Sequence, residues 1–109
     1  MDGSRAVEPI DAWESGRRQG SLALLSAAAD PVRWEVLSHL AQRGTSCVCV
    51  LQERVPVPAN LLSYHLKVLR DAGLVTTTRR GRWIDYSLAE DAPRRLVESL
   101  PVSEPAVLP

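Results

Sequence analysis

A chain of 109 residues, 45% apolar and 24% charged, has room for one domain with a single modest core and excludes a second independent domain. Thirteen basic residues balance thirteen acidic ones, so the net charge of zero carries no sign of a nucleic-acid partner. No run of about 18 apolar residues occurs, and Met1 to Gly20 mixes charges of both signs without an apolar signal core, which predicts a cytoplasmic protein with no membrane partner.

Leu, Val and Ala dominate the apolar residues. There is no Phe, and Trp13, Trp34, Trp83, Tyr64 and Tyr86 are the aromatics, a set that suits packed helices better than a sandwich. Met1 to Glu8 lacks an apolar period, and Ser99 to Pro109 holds three prolines, so both ends are expected to fray. A helix is expected over about Pro9 to Arg18 and another from Ser21 to Ala29, with Leu22, Leu25 and Ala29 on one face. Asp30-Pro31 is an N-cap followed by proline at the first helical position, and the helix it starts carries Val32, Val36, Leu37 and Leu40 as a stripe until Gly44.

Thr45-Ser46 can cap a short helix from Cys47 to Arg54, with Val48, Leu51 and Val55 inward, and a tight turn follows from Val55 to Pro58. From Pro58 to Gly73 a further helix buries Leu62, Leu66 and Leu69 at i, i+4 and i+7. Asn60, Ser63, Tyr64, Lys67 and Arg70 are left outside. Leu74 to Thr78 and Arg82 to Leu88 read as a β-hairpin with Arg79-Arg80-Gly81 at its tip. A last helix, about Asp91 to Leu100, is expected to bury Leu96, Val97 and Leu100.

Charge is distributed unevenly along this order. Between Pro58 and Leu88, Lys67, Arg70, Arg79, Arg80 and Arg82 face only Asp71 and Asp85, whereas beyond Leu88 acidic residues outnumber Arg94 and Arg95. A layout of that kind can turn one basic face to phosphates. Two short helices joined by a tight turn, then a hairpin with a basic tip, form the winged helix-turn-helix layout, in which the second helix enters the major groove. The fold class is therefore mainly α with a small β-hairpin, in the order α-α-α-α-α-β-β-α.

Ala29-Asp30-Pro31-Val32-Arg33, Cys47-Val48-Cys49, Leu62-Ser63-Tyr64-His65-Leu66-Lys67-Val68-Leu69-Arg70-Asp71-Ala72-Gly73-Leu74-Val75 and Gly81-Arg82-Trp83-Ile84-Asp85-Tyr86 resemble the ArsR/SmtB family of metal-responsive repressors over about Leu22 to Leu88. The resemblance implies a homodimer that binds a double-stranded DNA operator of dyad symmetry until an effector loosens it. Residues 1–20 and 91–109 would then serve dimerisation and 21–90 would form the DNA-binding domain. By matched position Asn60, Leu61, Ser63, Tyr64 and His65 face the groove, Lys67 and Arg70 lie near phosphates, and Arg79, Arg80 and Arg82 flank the minor groove. Leu61 stands where the family often has a polar residue and can meet a thymine methyl. His65 reads as a structural or DNA-facing residue ahead of a metal ligand, and His39 reads as a cation at a helix C-terminus or a metal ligand.

Cys47 and Cys49, two apart, are too close for an ordinary structural disulfide and read as thiols or metal ligands. The resemblance makes such a pair an inducer site for arsenite, cadmium or lead, soft ions that thiolates at a helix N-terminus suit. Val50 stands where the family often has an acidic residue, no third cysteine exists, and the last helix has no His. Nickel, zinc or copper, a redox change or a protein co-regulator are the alternative signals. No nucleophile and base at triad spacing and no glycine-rich phosphate loop is visible, so an enzyme is not expected.

Overall fold

A computed structural model of the chain describes residues 12–101, with side chains from Arg18 onward. Its elements are α1 (Ala12–Ala28), α2 (Pro31–Arg43), β1 (Ser46–Cys47), α3 (Val48–Arg54), α4 (Ala59–Asp71), β2 (Val75–Arg80), β3 (Trp83–Leu88) and α5 (Ala92–Glu98). The strands form an antiparallel sheet in the order β1-β3-β2. A helix start at Pro9 and the frayed ends at Met1 to Glu8 and beyond Pro101 lie outside the described residues.

Helix α2 begins as the sequence dictates, with Asp30 extended at the N-cap and Pro31 at the first position. The Asp30 carboxylate nevertheless makes no capping bond. Gly44, at φ +86°, closes the helix by donating its N–H to the Leu40 carbonyl. Helix α4 ends in a Schellman motif: Gly73 at φ +76° donates to the Arg70 carbonyl and Leu74 donates to that of Leu69. Arg95 of α5 then reaches back and donates to the carbonyls of Gly73 and Ala72, at 2.9 and 3.2 Å. The last helix is thereby latched to the end of α4.

The core gathers Leu24, Ala27 and Ala28 of α1, Val36, Leu37 and Leu40 of α2, Leu51 and Val55, and Leu62, Leu66 and Leu69 of α4. Leu74, Val75, Ala89 and Ala92 complete it. The inward stripes expected for α2, α3 and α4 are therefore present.

Several expectations need correction. The break expected between Arg18 and Ser21 is absent, because α1 runs through Gly20, where a helix tolerates glycine at a cost of about 1 kcal/mol. From Arg18 onward the buried residues of α1 are Leu24, Ala27 and Ala28, so its inward face there is rotated away from Leu22, which is 61% exposed, and Ala29. In α5, Ala92 is buried while Val97 and Leu100 are exposed, since the short helix meets the core through its first turn. Cys47 lies in a strand ahead of α3 instead of in its first turn, pairing with Asp85 as Ser46 pairs with Tyr86. Arg79 and Arg80 belong to β2, opposite Ile84 and Trp83, and the turn is Gly81-Arg82, with Gly81 supplying the positive φ of +64° that a two-residue loop needs.

Leu62 is fully buried where α4 meets the core. Truncation by Leu62→Ala should cost about 2–5 kcal/mol, read as a lower urea midpoint at unchanged slope. A loss under about 0.5 kcal/mol would show that this contact does not anchor the helix.

Candidate nucleic-acid interface

Helix α4 is divided lengthwise. Leu62, His65, Leu66 and Leu69 are buried, and Asn60, Leu61, Ser63, Tyr64, Lys67 and Arg70 are exposed on the remaining surface. The division follows from 3.6 residues per turn acting on a leucine period. Helix α3 and the turn at Val55 to Pro58 set α4 in place, and the turn is braced by Gln52, whose side-chain amide donates to the carbonyls of Val57 and Val55. Nothing in the local sequence singled out Gln52.

Of the five α4 residues expected to face a groove, four are outward and one is not. His65 is only 8% exposed, and its Nδ1 lies 2.8 Å from an Arg33 guanidinium nitrogen and 3.8 Å from the Asp30 carboxylate. The DNA-facing reading of His65 is corrected accordingly: its position falls on the leucine side of the helix, and it is the structural alternative that holds. Arg33 was missed in this role, although its spacing three residues after Asp30 places the two on adjacent surface.

The cations are not equivalent. Lys67 pairs with Asp71 one turn on, at 2.9 Å, and Arg80 grips Asp85 with two hydrogen bonds of 2.8 and 2.9 Å. Arg70 is exposed on α4, as are Arg79 and Arg82 on the hairpin. Hydrogen bonding from the Arg80 guanidinium holds the Asp85 carboxyl below the ordinary carboxylate range and raises Arg80 in turn. Lys67 lowers Asp71 in the same manner.

Cys47 and Cys49 are joined by a disulfide across a Cα–Cα distance of 5.3 Å. This corrects the free-thiol expectation. Two residues within one helix would point apart, but Cys47 is extended in β1 and Cys49 lies in α3, and the bend between them brings the Cα atoms into the disulfide range. His39 is buried, with Nε2 3.2 Å from Ser46 Oγ and Nδ1 without a hydrogen-bond partner. Ser46 Oγ donates to the Gly44 carbonyl, so His39 Nε2–H is the donor to Ser46. Among the described residues no three His, Cys, Asp or Glu side chains gather to hold a metal. None of the helices in that span is long and apolar enough to cross a membrane.

Residues 28–78, which include α2, α3 and α4, match a family model described as a helix-turn-helix domain. Over 92 residues the chain is 38% identical to the biofilm growth-associated repressor of Agrobacterium fabrum, covering 84% of this chain and 77% of that one. It is 46% identical over 65 residues to the arsenical resistance operon repressor of Bacillus subtilis, where the match spans 60% of this chain and 62% of the relative's length. Among solved structures it superposes on NolR from Sinorhizobium fredii with a TM-score of 0.74 at 28% identity, over 85% of this chain and 92% of that one.

The Arg80–Asp85 pair fixes a direction with pH. Its contribution to stability is present above the carboxyl's unfolded value of about 3.9 and is lost as pH falls through the lower folded value. In a carboxyl-carbon NMR titration Asp85 should have its midpoint below about 3.9, and Arg80→Ala should return it to that range. An unmoved midpoint in the variant would mean that the clamp does not form in solution.

Proposed function

The chain belongs to the ArsR/SmtB family of winged helix-turn-helix transcriptional regulators, and from that premise we propose that it is a DNA-binding repressor whose operator affinity is set at Cys47 and Cys49. The observation that carries the DNA reading is the outward face of α4, short-chained and polar with Arg70 beside it, opposed to a fully buried leucine stripe. A helix of this build offers Asn60, Ser63 and Tyr64 to base edges while its core contacts fix its tilt. Arg79 and Arg82 of the hairpin supply phosphate or minor-groove contacts. Leu61, 40% exposed, takes the apolar contact with a thymine methyl.

The DNA-bound form is a homodimer. Leu22, Trp34, Val97 and Leu100 are large apolar side chains left exposed on α1, on α2 and at the α5 end. Leu25, Ala28, Ala29, Trp34, Leu96, Val97 and Leu100 line one apolar cleft there. A second copy that covers this face pairs two recognition helices about a two-fold axis, as a dyad-symmetric operator requires.

The inducer reading needs the disulfide opened by a thiol reductant, which gives up two electrons and two protons, becomes a disulfide itself and leaves two thiols on the protein. These supply two soft donors for arsenite, cadmium or lead, or with harder partners for nickel, zinc or copper, and solvent completes the shell. Cys47 belongs to the sheet and Cys49 to α3, so one ion on both sulfurs moves the wing against the helix-turn-helix. The disulfide itself favours one competing reading, in which redox state alone is the signal.

Two measurements test these statements. On a mixed-sequence duplex, Arg79→Ala and Arg82→Ala should each lower the slope of log affinity against log salt by about 1, and Arg80→Ala by less because Asp85 already holds that side chain. Retention that ignores salt would point to a protein-interaction module instead. For the sensor, the reduced chain is titrated with arsenite, cadmium, zinc, copper and nickel while thiolate-to-metal absorbance and operator binding are followed together. The double variant Cys47→Ser, Cys49→Ser should bind DNA normally and fail to release it with metal. Release by the serine variant would place the sensor elsewhere, and a response to peroxide with none to metal would favour redox control.

A further inference from the structure

Three helices converge on one guanidinium. Arg33, in the first turn of α2, donates from Nε to the Ala27 carbonyl at 2.6 Å and from Nη2 to that of Ser26 at 3.4 Å, both in the last turn of α1. Its Nη1 lies 2.8 Å from Nδ1 of His65, in the middle of α4. A guanidinium only donates, so Nδ1 is the acceptor and the ring carries its proton on Nε2. The other groups facing the ring are Asp30, the N-cap of α2, at 3.8 Å, and Tyr64 of its own helix, edge-on with centroids 5.1 Å apart, while α1 presents carbonyl oxygens to Arg33. Asp30 Oδ2 is buried without a hydrogen-bond partner.

We propose that Arg33 is a positioning residue for DNA recognition, bridging the end of α1 to the recognition helix through neutral His65 and so fixing how α4 is presented to the groove. The inference rests on the DNA-binding reading above. Lysine cannot take this place, since one ammonium on a flexible stem lacks the planar fork that meets two carbonyls and a ring at once. A proton on Nδ1 also ends the bridge: it sets an N–H against the guanidinium and leaves unpartnered Asp30 as the acceptor toward which the ring turns. Losing the bridge frees α4 from α1 without removing any contact to DNA.

The test uses the full chain and a duplex that it has itself selected from a random-sequence library, with affinity read by fluorescence anisotropy. Arg33→Lys should bind roughly tenfold more weakly, the equivalent of one lost charge-assisted hydrogen bond, with an unchanged salt slope because no phosphate contact is removed. His65→Leu keeps the side-chain bulk but offers Arg33 no acceptor, so it should weaken binding to a similar degree at an unchanged salt slope. His65→Asn keeps an acceptor oxygen near the Nδ1 position and should bind within about threefold of native.

Native affinity in Arg33→Lys, or in His65→Leu, would overturn the positioning role. If Arg33→Lys loses its cooperative thermal transition, the contrast between His65→Leu and His65→Asn decides the matter alone. A chain that selects no duplex would overturn the DNA-binding reading, and the positioning role with it.

Discussion

The burial of Leu62, Leu66 and Leu69 on one side of α4 is the constraint from which the rest of the interface follows. Each leucine withdrawn from water contributes about 1.5–3 kcal/mol, and together they decide which side of the helix faces α1 and α2. Rotation about its axis would bring leucine to the surface and carry Lys67 or Arg70 into the core, where an unpaired charge is costly. The outward set is thus decided by the inward one. Asn60, Ser63 and Tyr64 need no interaction of their own to stay exposed.

Cations in this chain divide by what they already hold. Arg33 and Arg95 serve the backbone, meeting carbonyls at the C-terminal ends of α1 and α4 where a helix leaves acceptors unsatisfied. Lys67 and Arg80 are paired with carboxylates on the surface, and Arg94 pairs with Glu98. Exposed pairs of this kind add little stability, about 0–1 kcal/mol each, but they lower the charge offered to a phosphate. Among the described residues, Arg70, Arg79 and Arg82 are the exposed cations on the proposed DNA side that no carboxylate holds, a shorter set than the count of basic residues between Pro58 and Leu88.

Much of this arrangement was legible in the sequence because it rests on local rules. Asp30-Pro31, Gly44 and Gly73 mark ends whose geometry depends on a few neighbouring residues, and the leucine period of α4 encodes its own burial. What was not legible depends on partners distant in sequence. Strand β1 is two residues long and exists through its pairing with Tyr86 and Asp85 about 40 positions away, so no local period announces it. His65 lies among residues that match a recognition helix, yet its environment is decided by Arg33, 32 residues earlier. Val97 and Leu100 follow a helical period correctly but find no core among the described residues, and the proposed second copy gives that period its meaning.

The missed strand also ties the cysteine pair to the wing. Cys47 pairs with Asp85 in the ladder, and the side chain of Asp85 is the carboxylate that grips Arg80 on the neighbouring strand. On the other side the disulfide reaches α3, the helix that precedes α4. A change of state at the sulfurs therefore acts at a joint between two elements, not on an isolated turn. Short strands make such a joint responsive: two paired residues give few ladder bonds to resist displacement, whereas β2 and β3 pair over six and move as one body. Under the proposed reading, an ion or a bond at Cys47 and Cys49 shifts the wing relative to α4 while both keep their internal structure, and that relative shift is what a two-point grip on DNA is sensitive to.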